Sequence, residues 1–167
     1  MLIRIFYFFV DNIEMQQVKN NETHIRIRVS VLAKREDGKV CFVRHLKNGK
    51  RYWLLPGGGQ DAFEKAQETA ARELPEELRI SCRSFRLLFV REAMSKEENR
   101  HIQFMVFEGI DPDFTNIQVG IDKRVEGYDF FDANEIAQKT IYPAMKDDII
   151  TFAEGKSPEF FKSLEWI

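Results

Sequence analysis

The sequence predicts an α+β protein, an α/β/α sandwich with a mixed β-sheet held between helices, and three features carry that expectation. A run of strict period-two alternation opens the pattern, hairpin signals follow at short spacing, and a glycine turn leads directly into a helical repeat. Strand patterns return after that helix and further helical patterns close the chain, so the order is sheet, helix, sheet, helix.

In the first run His24, Arg26, Arg28 and Ser30 alternate with Ile25, Ile27, Val29 and Val31, which predicts a strand with one apolar and one wet face. Asp37-Gly38 supplies a turn, and Val40 to Leu46 returns as a second strand. Asn48-Gly49 marks another hairpin, because both residues tolerate the positive φ of a type I′ turn. Arg51 to Leu55 is a short strand that ends at Pro56-Gly57-Gly58-Gly59. Asp61 and Glu64 form an Asp-x-x-Glu capping box that marks a helix start, and Ala66, Ala70, Leu74 and Leu78 give it a narrow apolar stripe. Ser84 to Arg91 and His101 to Phe107 pair around the polar loop Ser95 to Arg100. Gly127 to Phe131 is a last strand, with helices around Asn134 to Lys139 and Ala144 to Ala153. The stretch around Phe160 and Phe161 reads as a short packing element.

A chain of 167 residues suits one domain, placed at residues 23–155, with 1–22 as an N-terminal extension and 156–167 as a C-terminal packing segment. Hydrophobic content of 44% and charged content of 31% are ordinary for a soluble globular protein. A net charge of -2 gives no electrostatic reason to expect nucleic acid or an anionic membrane as partner. Cys41 and Cys82 have neither metal-type nor redox-type spacing, and two reduced thiols point to the cytoplasm. Met1 to Val10 is apolar apart from Arg4, yet far shorter than the roughly 20 residues that span a bilayer, and it lacks a signal-type cleavage site. An extra strand fits it better, and such a strand could pair two copies into a homodimer.

The stretch from Gly58 to Ile80 carries the chemistry. Glu73, Glu76 and Glu77 stand at i, i+3 and i+4, so their carboxylates share an arc of roughly 100° on one helix face. Like charges at that spacing repel, and something cationic is wanted opposite them. Mg²⁺ takes oxygen donors, through one or two carboxylates, waters and substrate phosphates. The glycine turn ahead of the helix can bring main-chain groups to the same point. Three glutamates on a helix are otherwise simply a solvated face.

Turn, cap and spacing together resemble the Nudix box, Gly-x5-Glu-x7-Arg-Glu-U-x-Glu-Glu-x-Gly-U, where U is a bulky aliphatic residue. Gly58 and Glu64 fill the first two positions, Arg72, Glu73 and Leu74 follow in register, and Glu76, Glu77 and Ile80 complete it. Trp53-Leu54-Leu55-Pro56-Gly57 is similar to the family's lead-in. The resemblance implies water, activated by a divalent metal, attacking a phosphorus of a diphosphate. It implies Glu73, Glu76 and Glu77 as ligands of Mg²⁺, or of Mn²⁺, with the carbonyl of Gly57 or Gly58 beside them. Arg72 then orients a box glutamate, and Glu64 is a structural cap. For the general base the box glutamates stand beside Glu97, Glu98 and Glu126, each of which reads equally as a surface charge. Glu126 stands out because related sequences often carry a glutamate shortly before an aromatic strand.

Two departures from the box matter. Arg79 stands at its last glycine, and Pro75 removes a helical hydrogen bond at a cost of roughly 3 kcal/mol in a helix interior. A kink or re-routing between Glu73 and Glu76 is the expectation, with all three glutamates retained.

Candidate substrate contacts are Arg28, Arg44 and Tyr52, together with Arg26, since arginine suits bidentate phosphate recognition and an aromatic ring stacks on a base. Alternating arginines are otherwise the wet face of a strand. His24, His45 and His101 lack metal-type spacing, no Ser-His-Asp order suggests a triad, and Arg100-His101 could approach substrate from the loop. The favoured function is a pyrophosphohydrolase acting on ADP-ribose or a nucleotide sugar, and Ile141-Tyr142-Pro143 is similar to a segment of such sequences. Hydrolysis of a nucleoside triphosphate or of an RNA 5′ end is the alternative within the enzyme class, with the acidic pI arguing against RNA. A non-catalytic nucleotide-sensing domain is the alternative outside it, with Pro75 and Arg79 as signs of drift.

Overall fold

The computed structural model describes residues 24–47 and 49–166. The strand expected within residues 1–22, and the pairing of two copies built on it, lie outside the described residues. In chain order the elements are β1 (Ile25–Ala33), β2 (Val40–Lys47), β3 (Lys50–Leu54), β4 (Gly57–Gly59), α1 (Ala66–Leu78), β5 (Ser81–Ser95), β6 (Arg100–Asp113), β7 (Val125–Phe131), α2 (Ala133–Ala137), α3 (Lys146–Ala153) and β8 (Phe161–Leu164). The fold class is α+β as expected. Among the described residues its mixed sheet has five strands in the order β4-β1-β6-β5-β8, and there is a three-stranded sheet, β3-β2-β7. β1 and β6 run parallel, as do β5 and β8, while the remaining pairs are antiparallel.

β1 divides the core. Val29, Val31 and Ala33 pack with Ala70, Leu74 and Leu78 of α1, whereas Leu32 packs with Ile136 of α2 and with Ile149 and Phe152 of α3. Helices therefore cover both faces, but only over the second half of the strand. Ile25 and Ile27 remain exposed and Ser30 is buried, so burial in β1 follows helix coverage rather than the alternation read from sequence.

Two expectations about the box helix need correction. Asp61 donates its N–H to Glu64 and accepts from the Glu64 N–H, closing a separate turn rather than capping the helix. Phe63 in that turn has a φ of 66°, which no α-helix accommodates, and α1 begins later, with the Lys65 N–H held by Glu68. Nor is the helix re-routed at Pro75, since it continues as one element to Leu78. Arg79 ends it in the left-handed conformation at φ 56°, donating to the Pro75 carbonyl at 3.1 Å. A second segment completes the end: the N–H groups of Gln118, Gly120 and Ile121 donate to the carbonyls of Leu78, Glu77 and Glu76. A Cβ on Gly120 would lie 2.0 Å from the Glu76 carbonyl oxygen, so this approach requires glycine there.

Behind the sheet Arg91 of β5 is fully buried and makes a bidentate pair with Asp148 of α3, at 2.8 and 2.6 Å. The same guanidinium donates to the Glu159 carbonyl at 2.9 Å, tying the C-terminal segment to the core.

Candidate active site

Glu77 is the most deeply buried of the box glutamates, at 1% exposure, against 8% for Glu73. Its Oε2 accepts from the Gly57 N–H at 2.8 Å, while its Oε1 has no partner among the described residues. Burial pushes the Glu77 carboxyl up to about 7, opposed by the Gly57 N–H and by Arg28. The turn permits this contact because Gly57, at φ 141°, brings its backbone against Val29, where a Cβ would stand 2.1 Å from the carbonyl oxygen. Gly58 is equally constrained, since a Cβ there would fall 2.0 Å from Glu73 Oε1. Pairing of Arg28, Val29 and Ser30 with Gly59, Gly58 and Gly57 fastens the turn to β1.

Arg72 gathers the remaining carboxylates. It binds Glu64 through two nitrogens at 2.8 and 3.0 Å, Glu73 at 2.7 Å and Glu76 at 3.4 Å, and it also donates to the Gly59 carbonyl. Glu64, bound further by Thr69 and the Asp61 N–H, is held down to about 2, chiefly by Arg72. Among the described residues no three acidic, His or Cys side chains already meet as a metal cluster, and Arg72 engages Glu73 and Glu76.

Beside the glycine turn, with Gly59 in its wall, lies a cavity of about 900 Å³. Its floor is apolar, with Leu54, Leu55, Phe104, Ile141 and Met145 buried in its wall. Arg26, Arg28, Lys50, Arg51, Arg100 and Arg124 supply cations. Arg28 is 2.6 Å from the Gly57 carbonyl oxygen. Burial lowers its pKa while Glu77 and Glu73 oppose that shift. The carbonyl of Gly57 thus accepts from a side chain, while Gly58 pairs with Val29 in the β1–β4 ladder. Arg124 is bound by Asp122, whose carboxyl it holds below the usual range, and it feels Glu77 and Glu73 as well. Tyr52 lines the cavity with Tyr142, ring centroids 5.9 Å apart. Main-chain bonds of Trp53 with Thr140 and Tyr142, both 2.9 Å, set Tyr142 there.

The structure brings Arg26, Arg28 and Tyr52 to the cavity, and sets Glu73 and Glu77 against the glycine turn beside it. Two expected residues are elsewhere. Arg44 does not line the cavity but lies over the Trp53 ring at 5.6 Å, with its Nε 3.8 Å from Glu126. Glu126, on β7 of the second sheet, pairs with Arg51 of β3 at 2.8 Å. His101 is bound to Glu92 at 2.8 Å. Sequence reasoning missed Asp122, Arg124 and Trp166, set His45 aside, and named Tyr142 only as part of the Ile141-Tyr142-Pro143 segment. His45 is buried, its Nε2 is without a partner among the described residues, and burial lowers it to about 4. Glycine 120 just ahead of Asp122 was the one signal that the intervening loop approaches a backbone.

Helices on both faces of a mixed sheet, with a glycine turn feeding a glutamate helix, form an arrangement whose class comparison with known proteins makes explicit. The model of the NUDIX domain family matches residues 24–151, and the chain belongs to that family, a hydrolase acting on pyrophosphate bonds. No curated protein sequence matches the chain significantly. Among solved structures, the MutT protein of Bacillus halodurans superposes with a TM-score of 0.69 at 16% identity, covering 85% of this chain and 90% of its own. The MutT Nudix hydrolase of Burkholderia pseudomallei gives 0.63 at 22% identity, with 71% and 92% covered. The Nudix domain of Shewanella oneidensis NrtR, solved with ADP ribose, gives 0.64 at 16% identity, with 85% and 97% covered. Among the described residues no helix is long and apolar enough to cross a membrane.

Proposed function

We propose that this chain is a Mg²⁺-dependent pyrophosphohydrolase that cleaves the diphosphate of a nucleoside diphosphate joined to a second group, with ADP-ribose and nucleotide sugars the favoured class. The observation that carries the reading is Glu77, a buried carboxylate with one oxygen bound to the glycine turn and the other without a partner among the described residues. A buried acid left half satisfied is costly unless something cationic completes it. The neighbouring donors, Glu73, Glu76 and the carbonyl of Gly57 or Gly58, are all oxygens, which suits Mg²⁺ or Mn²⁺ rather than a soft metal. Those residues would hold the cation.

When bound, the cation neutralises phosphate oxygens, polarises phosphorus and lowers the pKa of water. The chain does the rest. Arg28 and Arg124 bind the diphosphate, Arg72 positions Glu73 and Glu76, and a box glutamate takes the proton of the attacking water. The P–O bond to the bridging oxygen breaks, giving a nucleoside monophosphate and a phosphorylated partner. Glu126 is not assigned the base here, since Arg51 occupies it. A nucleoside triphosphate is the second reading, favoured by the further cations Arg26, Lys50, Arg51 and Arg100 in the cavity wall.

Product analysis with Mg²⁺ tests the proposal on ADP-ribose, nucleotide sugars, dinucleoside polyphosphates, nucleoside triphosphates and 5′-triphosphate RNA, with Glu77→Gln alongside. A monophosphate released from ADP-ribose or a sugar nucleotide, and lost in the variant, is the expected result. Pyrophosphate from triphosphates alone moves the assignment to the second reading. Tight nucleotide binding without turnover, in Mg²⁺ and in Mn²⁺, overturns catalysis in favour of a sensing domain.

A further inference from the structure

Residues 156–166 lie beyond the span that the family model matches, yet they end in the cavity. β8 pairs in parallel with β5, from Val90 with Phe161 to Ala93 with Leu164. The Val90 N–H donates to the Phe160 carbonyl at 2.7 Å, and buried Arg91 holds the Glu159 carbonyl. This segment is therefore fastened to the core just ahead of Trp166. The Trp166 indole N–H donates to Glu98 Oε1 at 3.0 Å, and both residues line the cavity. Glu98 is itself placed: its N–H donates to Ser95 Oγ at 3.1 Å, and Arg100 lies 3.8 Å from its other oxygen.

The cavity thus has two chemically different ends. Arg28, which faces Glu77, pairs with Phe104 of β6, and Arg100 lies four residues away on the same strand. At the rise of a β-strand the two ends are about 13 Å apart. Such a separation accommodates an extended nucleotide with its phosphates at one end and its base at the other. An indole whose N–H is already satisfied offers its face, and base–aromatic stacking tolerates any base.

Resting on the reading that the cavity takes a nucleotide, we infer that Trp166 is a specificity-determining residue, an aromatic platform for the nucleobase that Glu98 and the β5–β8 pairing hold in place. Its presence selects compounds carrying an aromatic base over base-free diphosphates.

The test uses the full chain. With Trp53→Phe, Trp166 is the remaining tryptophan, and its fluorescence is titrated with AMP, with GMP and with ribose 5-phosphate. Saturable quenching by both nucleotides, and none by the base-free sugar phosphate, is expected. In parallel, Trp166→Ala raises KM for the nucleotide the enzyme hydrolyses by roughly tenfold, with kcat within about threefold, and Trp166→Phe restores KM. Quenching without hydrolysis of any compound supports the platform and overturns the catalytic reading. Hydrolysis with an unmoved KM in Trp166→Ala and no quenching overturns the platform and leaves catalysis standing. If Trp166→Ala does not fold, the quenching and the Trp166→Phe kinetics decide alone.

Discussion

Asp148 and Glu77 are both buried carboxylates, and the protein treats them in opposite ways. Both oxygens of Asp148 rest on the Arg91 guanidinium, whose remaining hydrogen bonds go to the main-chain carbonyls of Val90 and Glu159. Glu77 has one backbone N–H and, among the described residues, an oxygen without a partner, with Arg28 near but bound to the Gly57 carbonyl. A fully satisfied buried pair fastens elements, here β5, α3 and the C-terminal segment. A half-satisfied acid beside a cavity stores affinity for a cation instead. Low dielectric makes each arrangement costly to disturb, but the cost surfaces in stability for the first and in chemistry for the second.

Removing one partner of the satisfied pair should therefore have the largest effect on stability. Arg91→Ala leaves Asp148 buried and unpaired, a loss of about 3–5 kcal/mol, read as a fall of about 10 °C in unfolding midpoint, with kcat of the folded enzyme retained. A shift below about 3 °C would sink the contrast. Glu77→Gln should do the reverse. Its melting midpoint without metal stays level or rises, while kcat falls by several hundredfold as the charge stabilisation of several kcal/mol is lost. Equal losses in both measurements would merge the two acids into one kind.

His45 sharpens the comparison from the basic side. Burial and the charges of Arg28 and Arg124 hold it at about 4, with Asp122 pulling the other way. Its folded value lies below the unfolded one of about 6.5, so the unfolded chain binds more protons between them and stability falls as pH drops through that window. Urea unfolding at pH 7 and pH 5 should differ by about 2 kcal/mol from this group, and His45→Gln should remove that part of the slope. A slope unchanged in the variant assigns the acid sensitivity to other groups.

Smaller effects follow away from buried charge. Arg79→Gly relieves a left-handed arginine and should stabilise by about 1 kcal/mol, visible as a rise of about 3 °C with activity unchanged. A fall in midpoint would mean that the arginine contributes more at the helix end than its strain costs. Glu126→Gln, breaking a pair with exposed Arg51, should change stability by less than about 0.5 kcal/mol and kcat/KM by less than twofold. A larger loss of kcat would return Glu126 to the reaction.

What the amino-acid order determined by itself is local: the glycine turn, the arc of Glu73, Glu76 and Glu77, the reach of Arg72 to its neighbours and the strand-rich α+β pattern all depend on residues close in sequence, whose geometry follows from helix and turn dimensions. Their resemblance to a known box made the family legible before any coordinate. Only the tertiary structure decided which distant side chains share the cavity. Arg26 and Arg28 looked like a wet strand face, and become cavity walls because β1 outruns the helices that cover its second half. Arg44 and Glu126 looked like site residues, and instead lie against each other, with Glu126 held more closely by Arg51. Pro75 and Arg79 promised a distorted helix end, yet the loop carrying Gly120 caps the carbonyls from outside. Trp166 carried no local signal at all, since its place depends on β8 joining β5 about seventy residues away in sequence, a pairing that long-range backbone hydrogen bonds set and no short-range periodicity encodes.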